Sequence, residues 1–452
     1  MRRPNILFIL SDQHRFDCLG PSAPARTPNL DRLAAEGVRF DEAYTPLPSC
    51  CPARASLLTG LRPEAFGELW NYDITLPVPC LTPDVPTWPH ALRDAGYRTR
   101  FIGKWHVSPD HPPTDFGYET CFGADVLPDG AGRRVEDLRP ADWFGRAVDG
   151  PIEELETHRL AARACAEIEE LSADGAPWHI QLNFPQPHPP YLPHCAFREP
   201  YRTAPAWGGC ADGLCGKPAI QRRMTENWGL ADVSEADWEN ARANYLAVIS
   251  QMDDAIGMVL DALDAAGAKD DTLVIYSSDH GDMCGSHGMF DKHYNLYDDI
   301  VRVPLLLSWP GHIPAGARRN EMLVHALSLP AAILEAAGAD ACLPGRSLLP
   351  LALGGACEWP ERVMSSFNGQ QFGLYTLRML RTRELKYVWH PTGEDELYDM
   401  ARDPHELRNV AGDAGYAERL CDMKKQLLDE LTEANDGLVK GHWLKWQLTK
   451  AR

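Results

Sequence analysis

A chain of 452 residues with 44% hydrophobic and 24% charged side chains has the composition of a folded globular protein, with length for two or three domains. Its 44 basic and 64 acidic residues leave a formal net charge of −20, which argues against nucleic acid or an anionic membrane as partner; any anionic substrate must be met by a local basic cluster. Thirteen cysteines, odd in number and without a CxxC pair, exclude a zinc ribbon and suit reduced thiols in a cytoplasmic protein.

The opening "MRRPNILFILSDQ" imitates a secretory leader, but its apolar run covers only Ile6 to Leu10 and no small-residue cleavage site follows. It reads instead as a buried strand running into Ser11-Asp12-Gln13-His14. "TPNLDRLAAEG", 27 to 37, reads as a helix with Thr27 as N-cap, Pro28 at the first position and Gly37 as stop. "CCPARASLLTG", 50 to 60, reads as a second short helix with Pro52 at its first position and Gly60 at its end. Cys50 and Cys51 then stand at a helix N-terminus, where partial positive charge favours anions. A thiol there suits a nucleophile, a metal ligand, half of a disulfide or a modified residue.

Further strands end in the same way. "YRTRFI" runs into Gly103-Lys104-Trp105-His106, and "WHIQLNF" into Pro185-Gln186-Pro187-His188. A long amphipathic helix over 237–266 carries Tyr245, Ile249, Met252, Ile256, Val259, Leu260 and Leu263 on one stripe, which reads as core packing. "TLVIY" then runs into Ser277-Ser278-Asp279-His280-Gly281-Asp282, and "VPLLLSW" into Pro310-Gly311. No stretch reaches the length of a membrane span.

Strands alternating with helices predict an α/β fold: a mostly parallel sheet flanked by helices, over residues 1–354. From about 355 the pattern changes to "LYTLRMLRTRELKYVWH" and a last helix, which predicts a smaller α+β domain with an antiparallel sheet over 355–452. In a parallel sheet the site lies beyond the carboxyl ends of the strands, so residues 12, 104, 188 and 279 are expected to converge. Asp12, Gln13, Asp279 and His280 there offer two carboxylates, an amide oxygen and an imidazole, a donor set for a hard divalent cation.

The stretch after the cysteine pair fits C-x-P-x-R-x-x-x-L-T-G residue by residue, through Cys50, Pro52, Arg54, Leu58, Thr59 and Gly60. A second segment, Gly96-Tyr97-Arg98-Thr99 followed by Ile102-Gly103-Lys104-Trp105-His106, accompanies it, as do "SDHGDMCGSHGMFDKH", "RVPLLLSWPG" and "ELYDMARDPHEL". With these motifs the chain resembles the type I sulfatases of the alkaline phosphatase superfamily over nearly its whole length. The resemblance implies an alkaline phosphatase-like fold and a sulfuric ester hydrolase, with Cys50 oxidised to formylglycine (3-oxoalanine) by a formylglycine-generating enzyme. It implies metal ligation by Asp12, Gln13, Asp279, His280 and the modified Cys50, with calcium as the expected ion and manganese or magnesium as alternatives. By the same implication Arg54 holds the formylglycine, Lys104 and Lys292 bind sulfate oxygens, and His106 contacts the aldehyde hydrate. His188 protonates the leaving group, and Asn71, in "LWNYD", reaches the transferred group.

Many relatives carry two aspartates where this chain has Asp12-Gln13, and asparagine where it has His280. The Asp-Gln with Asp-His set resembles choline sulfatases, some glycan sulfatases and phosphonate monoester hydrolases. The substrate expected is a small-molecule or glycan sulfate ester; a phosphonate monoester hydrolase or phosphodiesterase, and a catalytically silent relative, are the alternatives. Oligomeric state stays open. His14, His287 and His293 read as supporting residues near the clusters, and Tyr191, His194 and Trp70 as candidates for the leaving-group pocket.

Overall fold

Short apolar runs that are buried on both faces can only pair side by side beneath helices. The computed structural model describes residues 3–449 apart from 75, 124–139, 211–212, 293, 340–342 and 371. In chain order its strands begin with β1 (Asn5–Asp12), β2 (Val38–Phe40), β3 (Ala43–Tyr44), β4 (Arg98–Gly103) and β5 (Thr120–Phe122). There follow β6 (Trp178–Pro187), β7 (Thr272–Ser278), β8 (Leu305–Ser308), β9 (Ala317–Arg319) and β10 (Leu323–Val324). The chain closes with β11 (Arg362–Gln370), β12 (Gly373–Thr382), β13 (Leu385–Trp389) and β14 (Glu396–Asp399).

The large sheet has the order β5-β4-β6-β1-β7-β8-β2-β9. From β5 to β7 all neighbours are parallel, with β1 at the centre between β6 and β7. The run "VPLLLSW" does supply a strand, β8, but it pairs antiparallel with both β7 and β2, so the parallel block ends at β7. Strand alternation divides the core into two layers. Ile6, Phe8 and Leu10 join Leu273 and Ile275 on one face, and Leu7 and Ile9 join Val274, Leu182 and Ile256 on the other.

The long helix spans Glu235–Ala265, starting two residues before its predicted place because Ser234 and Asp237 form a reciprocal capping box. All seven residues of the predicted stripe are buried. The helix also caps its neighbour. In the helix Pro28–Glu36, Thr27 occupies the N-cap position but its hydroxyl makes no capping bond. Asp253 takes that role, accepting the Asn29 N–H at 3.0 Å and the Leu30 N–H at 2.8 Å. Asp253→Ala is therefore expected to cost about 0.5–2 kcal/mol, the scale of a lost N-cap, read as a lower Tm with activity kept.

The second predicted helix runs Cys50–Thr59, so Cys50 itself is the first helical residue and Pro52 the third, not the first. Gly60 ends it with φ 71°, a left-handed turn that favours glycine. The antiparallel sheet β11-β12-β13-β14 is backed on one face by the helix Ala417–Glu433 through Leu380, Tyr387, Leu427 and Leu431. Its other face, through Phe367, Leu377 and Tyr398, packs on Met289, Tyr294 and Tyr297 from the segment after β7. Among the described residues no helix is long and apolar enough to cross a membrane.

Candidate active site

Parallel strands that stop together deliver their next residues to one edge. Asp12 closes β1, Lys104 follows β4, His188 follows β6, and Asp279 and His280 follow β7. Asp12 pairs in register with Pro187, which sets His188 beside it. At the end of β4 only glycine fits position 103. Its φ is +95°, and a Cβ there would lie 2.0 Å from the Asn183 carbonyl oxygen. That close approach lets the Lys104 N–H reach the same oxygen at 3.0 Å.

Cys50 enters from the helix. Asn71 secures that helix start, its side-chain oxygen accepting from the Ser49 hydroxyl at 2.8 Å and the Cys51 N–H at 2.9 Å. The Cys50 Sγ, wholly buried, lies 3.3 Å from His280 Nε2 and 3.6 Å from Asp12 Oδ1. One turn on, Arg54 donates from Nε to Asp279 Oδ2 at 2.9 Å, from Nη2 to Asp12 Oδ2 at 3.1 Å and from Nη1 to the Lys104 carbonyl at 3.1 Å. The guanidinium thus ties three strand ends together. Lys104 Nζ also bonds Asp12 Oδ2.

These contacts set the charges. Burial alone would raise the Asp12 carboxyl, but Lys104 and Arg54 outweigh it and hold it well below the usual range. His280 goes the other way. Burial lowers its pKa, and its Nδ1 lies 2.9 Å from the Gly281 carbonyl, which assigns the proton to Nδ1 and leaves the Nε2 lone pair facing Cys50 and both aspartates. Lys292 Nζ donates to Gln13 Oε1 at 2.9 Å and meets His188 Nε2 at 3.2 Å, while His188 Nδ1 lies 2.7 Å from the Pro189 carbonyl. Burial, Lys292 and Lys104 together push the His188 imidazole down to about 3, so it is neutral and accepts from Lys292.

His106 sits at φ +49° with Nε2 3.2 Å from Asp73 Oδ2 and the Tyr72 ring edge-on at 5.2 Å. Burial and Lys104 oppose its protonation, but the hydrogen bond to Asp73 and the nearby Cys50 sulfur prevail and its pKa is raised. The ligating atoms of Asp12, Cys50, Asp279 and His280 all lie within 4.8 Å of one another, and all four residues are buried. Gln13 lies at their edge, its N–H donating to Asp279 Oδ1 at 3.1 Å.

The structure therefore brings together ten of the eleven predicted site residues around Cys50 and sets the eleventh, Asn71, behind the helix start. Among the supporting candidates, His14 bonds the Tyr276 hydroxyl at 2.6 Å beneath the sheet edge, and His287 stacks on Tyr297. Tyr191 donates to Asp282 at 2.6 Å, Trp70 to the Leu76 carbonyl, and His194 caps the short helix Cys195–Arg198. His293 lies outside the described residues. Asp73, Asp282 and Asp291 also touch the site, unassigned by the sequence reading. Asp73 and His106 are far apart in the chain, and only folding pairs them.

The family model described as Sulfatase matches residues 4–339, and that of the N-sulphoglucosamine sulphohydrolase C-terminal region matches 285–433. The chain belongs to the sulfatase family. It is a hydrolase of sulfuric ester bonds within the alkaline phosphatase superfamily. An uncharacterized sulfatase, YidJ, of Escherichia coli (strain K12) is 30% identical, over 98% of this chain and 90% of its own length. A choline-sulfatase of Rhizobium meliloti (strain 1021) is also 30% identical, over 90% of this chain and 82% of its own. The crystal structure of a phosphonate monoester hydrolase of Agrobacterium radiobacter superposes with a TM-score of 0.78 at 27% identity, covering 96% of each chain. The sulfatase thus shares its architecture with a phosphonate-cleaving relative.

Proposed function

We propose that this sulfatase cleaves sulfate monoesters of a small molecule or glycan through a formylglycine made from Cys50, beside a divalent cation held by Asp12, Gln13, Asp279 and His280. The observation that carries this reading is the buried set of Asp12, Cys50, Asp279 and His280 donor atoms within 4.8 Å of one another. Oxygen ligands with one neutral imidazole suit a hard cation, calcium first, with manganese or magnesium as alternatives. When present, the hydrated aldehyde supplies one hydroxyl to attack sulfur and a second for sulfate release, while the cation supplies fixed positive charge.

The rest is the work of the chain's own side chains. Arg54, Lys104 and Lys292 set three positive charges against the carboxylates of Asp12, Asp279 and Asp291, and the charge of a bound cation tips this balance toward an anion despite the acidic surface. Lys104 and Lys292 hold sulfate oxygens, and the Asn71 amide nitrogen remains to reach the same group. His106, steered by Asp73, takes the proton released as sulfate departs. Its raised pKa suits a base that must hold that proton. In the resting site His188 is neutral with its Nε2 lone pair on Lys292. The charge of the bound ester raises it, so Nε2 takes up a proton from solvent and delivers it to the leaving oxygen.

Cys50 is wholly buried, so conversion by a formylglycine-generating enzyme precedes packing of its helix. The described cysteines are free thiols, which fits the cytoplasmic location proposed from the sequence. Turnover of an aryl sulfate against an aryl phosphonate, on protein shown by mass spectrometry to carry the aldehyde, tests the reading. A faster phosphonate reaction would move the assignment to the phosphonate monoester hydrolases.

The role of His188 has its own test. An alkyl or sugar alkoxide needs a proton to leave, whereas nitrophenolate does not. His188→Ala is expected to lower kcat/KM for alkyl sulfates by about 10²–10⁴-fold, the scale of general acid catalysis, and for nitrophenyl sulfate far less. Equal losses would make His188 a sulfate-binding residue; His194, which caps the helix Cys195–Arg198 and bonds the Gly150 carbonyl, is not placed to replace it as the acid.

A further inference from the structure

Gln13 is held at more points than its place at the edge of the site requires. Its backbone stands at φ +75°, in the left-handed region that glutamine seldom adopts. The N–H donates to Asp279 Oδ1, and the carbonyl accepts the Tyr245 hydroxyl at 2.7 Å from the long helix. The side chain is wholly buried, and its two ends face different chemistry. Nε2 donates to Asp282 Oδ2 at 2.8 Å and to Asp291 Oδ1 at 2.7 Å, which uses both of its protons. Oε1 faces Lys292. Asp282 and Asp291 are themselves braced. Tyr191 donates to the same Asp282 oxygen, the Cys284 N–H donates to Asp282 Oδ1, and Lys292 lies 3.1 Å from Asp291 Oδ1.

We propose that Asp282 and Asp291 are positioning residues that lock the Gln13 carboxamide with its nitrogen toward them and its oxygen turned away toward Lys292, where a cation can share it, and that their pairing dictates an amide rather than a carboxylate at position 13. This inference rests on the cation reading above. An acid at 13 would turn an oxygen toward two acidic side chains at under 3 Å. It would also lose both donors that now satisfy them, a buried arrangement far costlier than an exposed one. The absence of a second aspartate after Asp12 then follows from residues on the loop after β7, not from the cation's own preference. A cation alone would favour the extra negative ligand.

The test is isothermal titration of chelator-treated protein with Ca²⁺ and with Mn²⁺, on the wild type, Gln13→Glu, Asp282→Asn/Asp291→Asn, and Gln13→Glu/Asp291→Asn. Gln13→Glu is expected to bind about 10–100-fold more weakly although it adds a carboxylate, the scale of losing an orienting hydrogen bond around a metal ligand. Asp282→Asn/Asp291→Asn, which keeps side-chain volume and the native glutamine, is expected to lose affinity on the same scale with an unchanged circular dichroism spectrum. Gln13→Glu/Asp291→Asn restores a donor opposite the new carboxylate and is expected to recover most of the loss. Tighter binding by Gln13→Glu, or a double variant no better than Gln13→Glu, overturns the proposal. A wild type that binds neither ion overturns the cation reading instead, so the two failures are separable.

Discussion

Replacing Cys50 with alanine or serine is expected to lower turnover by on the order of 10⁴-fold or more, the scale of removing a nucleophile, while Cys51→Ala keeps most of it. The two thiols are neighbours in sequence but not in surroundings. Cys50 Sγ faces His280 and Asp12 inside the strand-end cluster. Cys51 lies instead beside Asp73 and His106, outside the donor set of Asp12, Asp279 and His280. Its backbone N–H helps fix the helix start through Asn71, a contact that alanine preserves. The serine variant sharpens the test. A single hydroxyl can be sulfated but has no second hydroxyl to expel the group, so a burst of at most one equivalent of nitrophenol should precede silence. Mass spectrometry of the Cys50 peptide in wild type and in Cys51→Ala completes it. The aldehyde should appear in both, and an essential Cys51 would mean that the motif register is wrong.

The strand ends were legible because each apolar run stops at a polar cluster, and a parallel block gathers such stops at one edge. Asp12, Lys104, His188 and Asp279 converge for that reason alone. The orientation of β8 was not legible. An apolar run buried on both faces looks the same read in either direction, and β8 is set antiparallel by its partners β7 and β2. The stripe on the long helix was read as packing, and it is packing. Yet Tyr245 on that stripe also bonds Gln13 and Arg15 through its hydroxyl, which no periodicity reveals. For the helix Pro28–Glu36 the N-cap position was legible, but not the group that satisfies its N–H donors, for a related reason. Local sequence names Thr27, but a carboxylate more than 200 residues away reaches the free N–H groups first. Asp73, Asp282 and Asp291 escaped notice because a residue that orients another has no spacing rule of its own.

Asp279 is expected to be the least replaceable of the metal-site residues, because its two oxygens serve different partners. Oδ1 accepts from the N–H groups of Gln13 and His280, and Oδ2 accepts from Arg54 Nε. Asp279→Ala removes one of two carboxylates from the donor set and leaves the buried Arg54 with Asp12 as its one remaining carboxylate among the described contacts. Breaking a buried pair in this way costs about 3–5 kcal/mol, so alanine confounds stability with chemistry. Asp279→Asn is the cleaner probe. Its amide oxygen still accepts from both backbone N–H groups, so the turn after β7 keeps its shape, but the charge is gone and an NH₂ now faces Arg54. Cation affinity should fall by more than about 10²-fold, beyond the 10–100-fold typical of groups that merely orient a ligand, and activity should fall with it. Metal analysis, titration and kcat on the same preparation decide the matter. If Asp279→Asn kept its full metal content while losing activity, the residue would act by holding Arg54 in place, and the cation would have to rest on Asp12, Gln13 and His280 without it.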